Sequence, residues 1–378
     1  MELQGYQRPL RLGMVGGGQG AFIGAVHRAA ARLSGDFDLV AGCFSSNPER
    51  ARQSAASIGI APEWCYVDYR DMARDVAKIG LDAVSVVTPN FLHVPVAQAF
   101  AEQGVHVICD KPLAATWDGI DALQATLERR NVIFVLTHTY SAYPMIRKAR
   151  RMIAEGVLGR IRSVTVEYLQ DWLATSIEDA GNKQAEWRTD PSKGGRGGAV
   201  GDIGTHAFHL AEYVSGQHCE SLLAMTAPPV GNRVVNDDAR MLLKFANGAT
   251  GSLWCSQVTL GARNALTLRV CGEKGALSWA QETPNQFLLA DAGGCERLMR
   301  RGEQPGEGSL PTGHPEGFYE AFAQLYRDAA SLIRSEGLPA SSETEVGEIS
   351  GIDAGVRGMR FIDASLTSAE KGNIWVEM

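Results

Sequence analysis

Long apolar runs are missing from this chain of 378 residues. No stretch of about 18 consecutive apolar residues occurs, so a transmembrane helix is not expected. Basic excess is missing too: 36 Lys and Arg stand against 43 Asp and Glu, a net charge of −7. That balance argues against nucleic acid or an anionic membrane as partner, because phosphate binding needs a basic surface. The seven cysteines (Cys43, Cys65, Cys109, Cys219, Cys255, Cys271 and Cys295) are scattered, odd in number and form no C-x-x-C pair. They argue against a disulfide framework or a cysteine–zinc site and suit a reducing, cytoplasmic setting. Residues 1–8 are polar and lack the charged-then-apolar order of a signal peptide.

What is present is an ordinary globular balance, 45% hydrophobic and 21% charged, in a chain too long for one ordinary core. Two domains are expected, at 1–137 and 138–378. In the first, apolar β-branched runs at 11–15, 38–44, 83–87, 105–109 and 132–136 alternate with helix-period segments at 22–33, 48–58, 94–103 and 116–129. Asp68 and Thr116 are candidate N-caps. Such alternation predicts βαβ units and a Rossmann-type, doubly wound parallel sheet.

The rhythm changes after residue 137. A helix at 143–155 leads to a strand at 161–170, a Gly/Lys/Arg-rich loop over 181–200 and a helix near 205–214. Strands are then expected at 221–226, 239–245, 249–258, 265–271 and 276–279. Asn247-Gly248 and Glu273-Lys274-Gly275 are read as hairpin connections. Consecutive hairpins predict an α+β domain with a large, mostly antiparallel sheet. Residues 293–313 are read as a flexible polar excursion and 318–334 as a helix.

The first strand runs into Gly16-Gly17-Gly18-Gln19-Gly20-Ala21-Phe22-Ile23-Gly24. Glycines after the first buried strand of a βαβ series let backbone N–H groups approach a dinucleotide pyrophosphate at a helix N-terminus. The spacing departs from G-x-G-x-x-G, with Gly24 late, so a longer pyrophosphate loop is expected, carried by Gly16, Gly18, Gln19, Gly20, Ala21, Phe22 and Ile23. NAD enzymes place a carboxylate after the second strand to bind the ribose. Here Ser45, Ser46 and Arg50 occupy that neighbourhood, which tilts the expectation from NAD towards NADP. The alternative, that the two serines cap the next helix, leaves the preference mixed.

Three later segments carry polar side chains at strand ends or at the entry to the second domain: Thr88-Pro89-Asn90-Phe91-Leu92-His93, Cys109-Asp110-Lys111-Pro112 and Gly201-Asp202-Ile203-Gly204-Thr205-His206. Lys111 follows a buried strand directly before proline, where packing gives a poor account of an ammonium. Asp202, His206 and His209 are spaced to share one face of a helix. If the helix starts only at Thr205, Asp202 sits at its entry instead. These three residues suit zinc by ligand type, a rival interpretation of the same face. His106, within a strand, is given a structural role.

Through these segments the sequence resembles the glucose–fructose oxidoreductase / inositol dehydrogenase (Gfo/Idh/MocA) family over essentially the whole chain. The departures are Asp110 in place of a glutamate, His209 in place of an aspartate, and the glycine spacing. The resemblance implies reversible hydride transfer between NAD or NADP and a secondary alcohol of a sugar, polyol or cyclitol, with no metal. It assigns Lys111, Asp202 and His206 to catalysis. His206 is the general acid/base, since an ordinary imidazole titrates near working pH. Lys111 stabilises the alkoxide, and Asp202 orients the pair. The expectation joins a lysine from the first domain and an imidazole from the second.

Thr88, Pro89, Asn90, His93, Asp110 and Lys111 complete the expected cofactor side. Lys111, Tyr140, Trp187, Arg188, Asp202, His206, His209 and His314 form the expected substrate side, with His138 as a further candidate. The resemblance also implies a homodimer or homotetramer through an open sheet face. A cofactor-binding regulator and a cofactor-recycling glycoside-cleaving enzyme remain as alternatives.

Overall fold

The computed structural model describes residues 8–227, 229–303, 307–335 and 349–378. The chain divides into two compact units, residues 1–137 with 319–353, and residues 138–318 with 354–378.

The first unit holds a five-stranded sheet in the order β2-β1-β3-β4-β5, formed by β1 (Leu10–Gly16), β2 (Phe37–Cys43), β3 (Ala83–Val87), β4 (His106–Cys109) and β5 (Phe134–Leu136). Every pairing is parallel. All five residues of β3 are buried, as a strand covered on both faces requires. Helix α1 (Phe22–Ser34) buries Gly24, Val26, His27, Ala30 and Ala31, one stripe at helical spacing, and ends at the left-handed Gly35. Helix α2 (Pro48–Ser57) is capped by the Asn47 side chain, which accepts from Arg50 N. Asp68 likewise caps α3 (Tyr69–Arg74), which runs into the short α4 (Val76–Ile79). Helix α5 (His93–Ala101) follows β3, and α6 (Ile120–Arg130) follows β4.

Thr116 does not begin α6. Its hydroxyl bonds to Asp118, and the helix starts at Ile120 after a left-handed Gly119. The segment from Tyr319, within helix Phe318–Arg334, packs with this first unit although it lies far beyond residue 137. There Tyr326 Oη meets His27 Nδ1 at 2.8 Å and Ser85 Oγ at 2.7 Å, and Phe322 stands edge-on to His27.

The second unit is built on nine strands, in the order β13-β12-β11-β10-β6-β9-β8-β7-β14. They are β6 (Ile161–Leu169), β7 (Cys219–Thr226), β8 (Asp238–Phe245), β9 (Thr250–Ser256), β10 (Ala265–Gly272), β11 (Gly275–Ala280), β12 (Gln286–Asp291), β13 (Glu296–Arg300) and β14 (Trp375–Glu377). All neighbours are antiparallel except β6 and β9. In β8, Ala239, Met241, Leu243 and Phe245 are buried while Arg240, Leu242 and Lys244 face outward, the period of a half-covered strand.

Helix α7 (Pro144–Ala154) precedes the sheet. The expected 181–200 loop instead contains α8 (Lys183–Arg188), capped by Asn182, and α9 (Pro191–Gly194), capped by Asp190. Helix α10 (Thr205–Ser215) is entered through a wide π-type turn at Val200–Gly204, in which Thr205 N donates to Val200 O. Part of the expected excursion at 293–313 is the ordered edge strand β13, while residues 304–306 lie outside the described residues. Helix Ile352–Glu370 and strand β14 were not read from the sequence. Phe361 of that helix stacks on Phe208 of α10, with ring centroids 4.4 Å apart. Among the described residues, no helix is long and apolar enough to cross a membrane.

Candidate active site

In the first unit the candidate cofactor residues gather at the carboxyl edge of the parallel strands, where open α/β sheets bind ligands. Gly16 closes β1 at φ +84°, and a Cβ on it would lie 2.4 Å from Val87 O. Gly24, in the first turn of α1, would with a Cβ come 2.3 Å from Gly17 Cα. The late glycine therefore lets the helix abut the loop. Because α1 begins at Phe22, Gln19, Gly20 and Ala21 stay outside it. The helix N-terminus has no side-chain cap and no acidic residue in its first turn. Its orphan N–H groups and positive dipole end suit a phosphate. Gln19 N donates to Ser54 Oγ at 3.0 Å, and the Arg28 guanidinium donates to Gly17 O. Neither Ser54 nor Arg28 was singled out from the sequence.

Past β2, Asn47 rather than a serine caps α2, although Ser45 Oγ accepts from Asn47 N. Ser46 and Arg50 are exposed. At β3 and β4 the register sets Val86 opposite Cys109, which brings Thr88 and the Asp110–Pro112 segment to neighbouring positions. Thr88 Oγ1 is buried and has no hydrogen-bond partner among the described residues. An unsatisfied buried hydroxyl is costly in a finished core and fits a ligand hydroxyl. Together with the uncapped helix end and the glycine cradle, it makes these residues compatible with a dinucleotide.

Pro89 leads into a turn at Asn90–Leu92, and Asn90 is buried. Asp110 Oδ1 accepts from Lys111 N at 2.9 Å and from Thr137 Oγ1 at 3.0 Å, which fixes the backbone from which the half-buried Lys111 extends. His93 is 1% exposed, and both its ring nitrogens meet backbone carbonyls: Nδ1 lies 2.8 Å from Pro112 O and Nε2 lies 2.9 Å from Thr88 O. His106 Nδ1 accepts from Ile133 N, a structural contact between neighbouring strands.

In the second unit, His206 lies on α10 among aromatic rings. Tyr140 stands edge-on at 5.0 Å between centroids, His138 edge-on at 5.7 Å, and Tyr168 tilted at 6.2 Å. His209, one turn on, is stacked on His138 and lies 5.6 Å from Tyr213. The π-type turn carries Asp202, so the motif is neither a regular helix nor a helix beginning at a cap. Asp202 Oδ2 accepts from Arg188 Nε at 3.1 Å and from Gln257 Nε2 at 2.8 Å. Arg188 also rests over the Trp187 ring, 4.3 Å from its centroid, and donates to Gln184.

A closed cycle of hydrogen bonds lies beside His206. Tyr140 and Tyr168 hydroxyls meet at 2.5 Å, Tyr168 Oη donates to Asn264 Oδ1 at 2.8 Å, and Asn264 Nδ2 donates back to Tyr140 Oη at 3.3 Å. Burial raises both phenols above their ordinary value, so both remain protonated donors. Gln170 extends the chain by donating to Asn264 and accepting from Trp172. His314 takes no part in these contacts. It is exposed, and its carbonyl accepts from Arg301.

Sequence reasoning missed Tyr168, Gln170, Gln257 and Asn264. A carboxamide in a strand or loop carries no local signal, and only folding shows its neighbours. Among the described residues no group of three or more His, Cys, Asp and Glu side chains is placed to hold a metal ion.

Residues 10–138 match the family model described as "Oxidoreductase family, NAD-binding Rossmann fold". Residues 146–278 match the one described as "GFO/IDH/MocA C-terminal domain". An oxidoreductase from Sinorhizobium meliloti is 41% identical, with a TM-score of 0.86, over 98% of this chain and 100% of that one. An inositol dehydrogenase homolog from Azotobacter vinelandii, solved with NAD+, is 34% identical with a TM-score of 0.92, over 98% of each chain. A levoglucosan dehydrogenase from Pseudarthrobacter phenanthrenivorans is 30% identical over 78% of each chain.

Proposed function

The chain belongs to the GFO/IDH/MocA oxidoreductase family, and from that premise we propose that it oxidises a secondary alcohol of a sugar or cyclitol with a nicotinamide dinucleotide. The observation that carries the reading is the polar wall around His206, in which Asp202 is held by Arg188 and Gln257 beside the Tyr140–Tyr168–Asn264 cycle. Fixed donors and acceptors beside an imidazole are what a polyhydroxylated substrate needs for orientation and proton transfer. An inositol dehydrogenase homolog and a levoglucosan dehydrogenase among the relatives support the substrate class.

A bound nicotinamide dinucleotide supplies the hydride acceptor in oxidation and the donor in reduction. The glycine loop, the first turn of α1 and Thr88, Pro89 and Asn90 would hold it, with Asp110 and Lys111 bordering them. His206 accepts the hydroxyl proton in oxidation and returns it in reduction. Asp202 orients the imidazole, and the Lys111 ammonium, taken by itself, is the charge type that stabilises a developing alkoxide. Tyr140, Trp187, Arg188 and His209 serve as substrate-side contacts.

Ser45, Ser46 and Arg50 present hydroxyls and a guanidinium with no carboxylate to repel a 2′-phosphate, which favours NADP. Seven free thiols suit a reducing, cytoplasmic setting. The outward face of the nine-stranded sheet carries Met225, Leu242 and Trp375, apolar enough to join copies of the chain into a homo-oligomer.

The test is reduction of NAD+ and of NADP+ by the purified protein against a panel of sugars and cyclitols. Turnover on at least one member is expected, with NADP+ preferred. Cofactor binding without turnover on any of them would overturn the dehydrogenase reading.

A further inference from the structure

Carbonyl oxygens only accept hydrogen bonds, and His93 meets two of them at once. A doubly protonated ring donates to both, while a neutral ring donates to one and turns a lone pair towards the other. Neither ring nitrogen is left for a cofactor. The two carbonyls belong to the segments that follow adjacent strands: Thr88 after β3, and Pro112, next to Lys111, after β4. On its other side Lys111 is tied through its own N–H to Asp110.

We propose that His93 is a positioning residue for Lys111, holding the Pro112 carbonyl through Nδ1 and thereby fixing the lysine's segment against the segment that carries Thr88. The proposal rests on the dehydrogenase reading only for the effect of Lys111 on turnover; the positional part stands on the bonds themselves. Charged and titratable groups frame the ring from the neighbouring elements: Asp110 and Lys111 after β4, and His27 on α1. Burial lowers the proton affinity of His93, whereas Asp110 and the two carbonyls raise it. The tie to Pro112 therefore works against desolvation, and a neutral donor of the right reach can replace it.

An asparagine carboxamide reaches about as far as Nδ1 and a glutamine carboxamide about as far as Nε2, so two variants separate the two bonds. The full chain is compared with its His93→Ala, His93→Asn and His93→Gln variants. Lys111 acylation by acetic anhydride is followed by mass spectrometry, together with NAD+ affinity, kcat and Tm. His93→Ala is expected to change the Lys111 acylation rate by about threefold or more and to lower kcat by about tenfold. His93→Asn restores both quantities; His93→Gln, of comparable Tm, restores neither.

Equal Lys111 acylation in all four proteins overturns the proposal. Rescue by glutamine rather than asparagine overturns it too, and assigns the role to the Thr88 bond. If the wild-type protein turns over no sugar, the dehydrogenase reading fails, while the acylation order still decides the role of His93.

Discussion

The imidazoles of His138 and His209 lie parallel, with centroids 4.0 Å apart and 4° between their planes. Two imidazolium rings at that separation would repel each other, so the stack belongs to rings of which at least one is neutral. Burial, aided by Arg150, pulls His209 down to about 3. It is therefore a neutral, flat surface throughout the working pH range, unlike the proton-transferring role proposed for its neighbour His206.

This separation of roles is visible in a pH–rate profile. Replacement His209→Phe preserves a flat ring and should leave the acid limb of kcat/KM where it is. Replacement His206→Gln should abolish that limb and lower kcat by about 10²- to 10⁴-fold. An acid limb that moves with His209→Phe and survives His206→Gln would exchange the two assignments.

His27 sets a limit on acid stability. It is fully buried, and desolvation lowers it from 6.5 to about 4. Its folded-state value is below its unfolded one, so the unfolded chain takes up the proton first. The neutral ring's contribution is complete above about pH 6.5 and is lost as pH falls towards 4. At pH 5 the loss amounts to about 2 kcal/mol. Denaturant midpoints of the wild type should drop between pH 7 and pH 5, and those of His27→Leu should drop less. Parallel curves would remove His27 as the cause.

Gln257 is expected to matter because it and Arg188 share one oxygen of Asp202. Replacement Gln257→Leu keeps the side chain's bulk and removes the donor. It should lower kcat by about tenfold while the affinity for NAD+ stays within about twofold. Unchanged kcat would show that Arg188 alone suffices to hold the carboxylate.

The parallel sheet was legible because its strands are apolar runs bounded by clear punctuation. The reading of β3 matched at both ends, and Asp68 was recognisable as a cap. The hairpin at Asn247-Gly248 was equally plain, since Gly248 takes φ +82° between β8 and β9. Strands β12 and β13 were not legible: each buries one residue, Phe287 and Met299, so neither shows an alternating pattern. The start of α6 was misplaced because a threonine four residues before an apolar stripe looks like a cap, whereas the chain needed the left-handed Gly119 first. Helices α8 and α9 did carry signals in Asn182 and in Asp190-Pro191, but the surrounding glycines and cations obscured them. The candidate chemistry was legible as types of residue in order. The rings around His206 and the donors to Asp202 come from four separated stretches of chain, and no local pattern relates them.

Tyr326 has a bearing on how the protein is made. Its hydroxyl joins the first-unit partners His27 and Ser85, which leave the ribosome long before it does. During synthesis the nascent nucleotide-binding half must wait, with those two polar groups unmatched, until the 318–334 helix has emerged. Its completion is therefore a late event of biogenesis, and a gene fragment ending at residue 137 would encode an unfinished core.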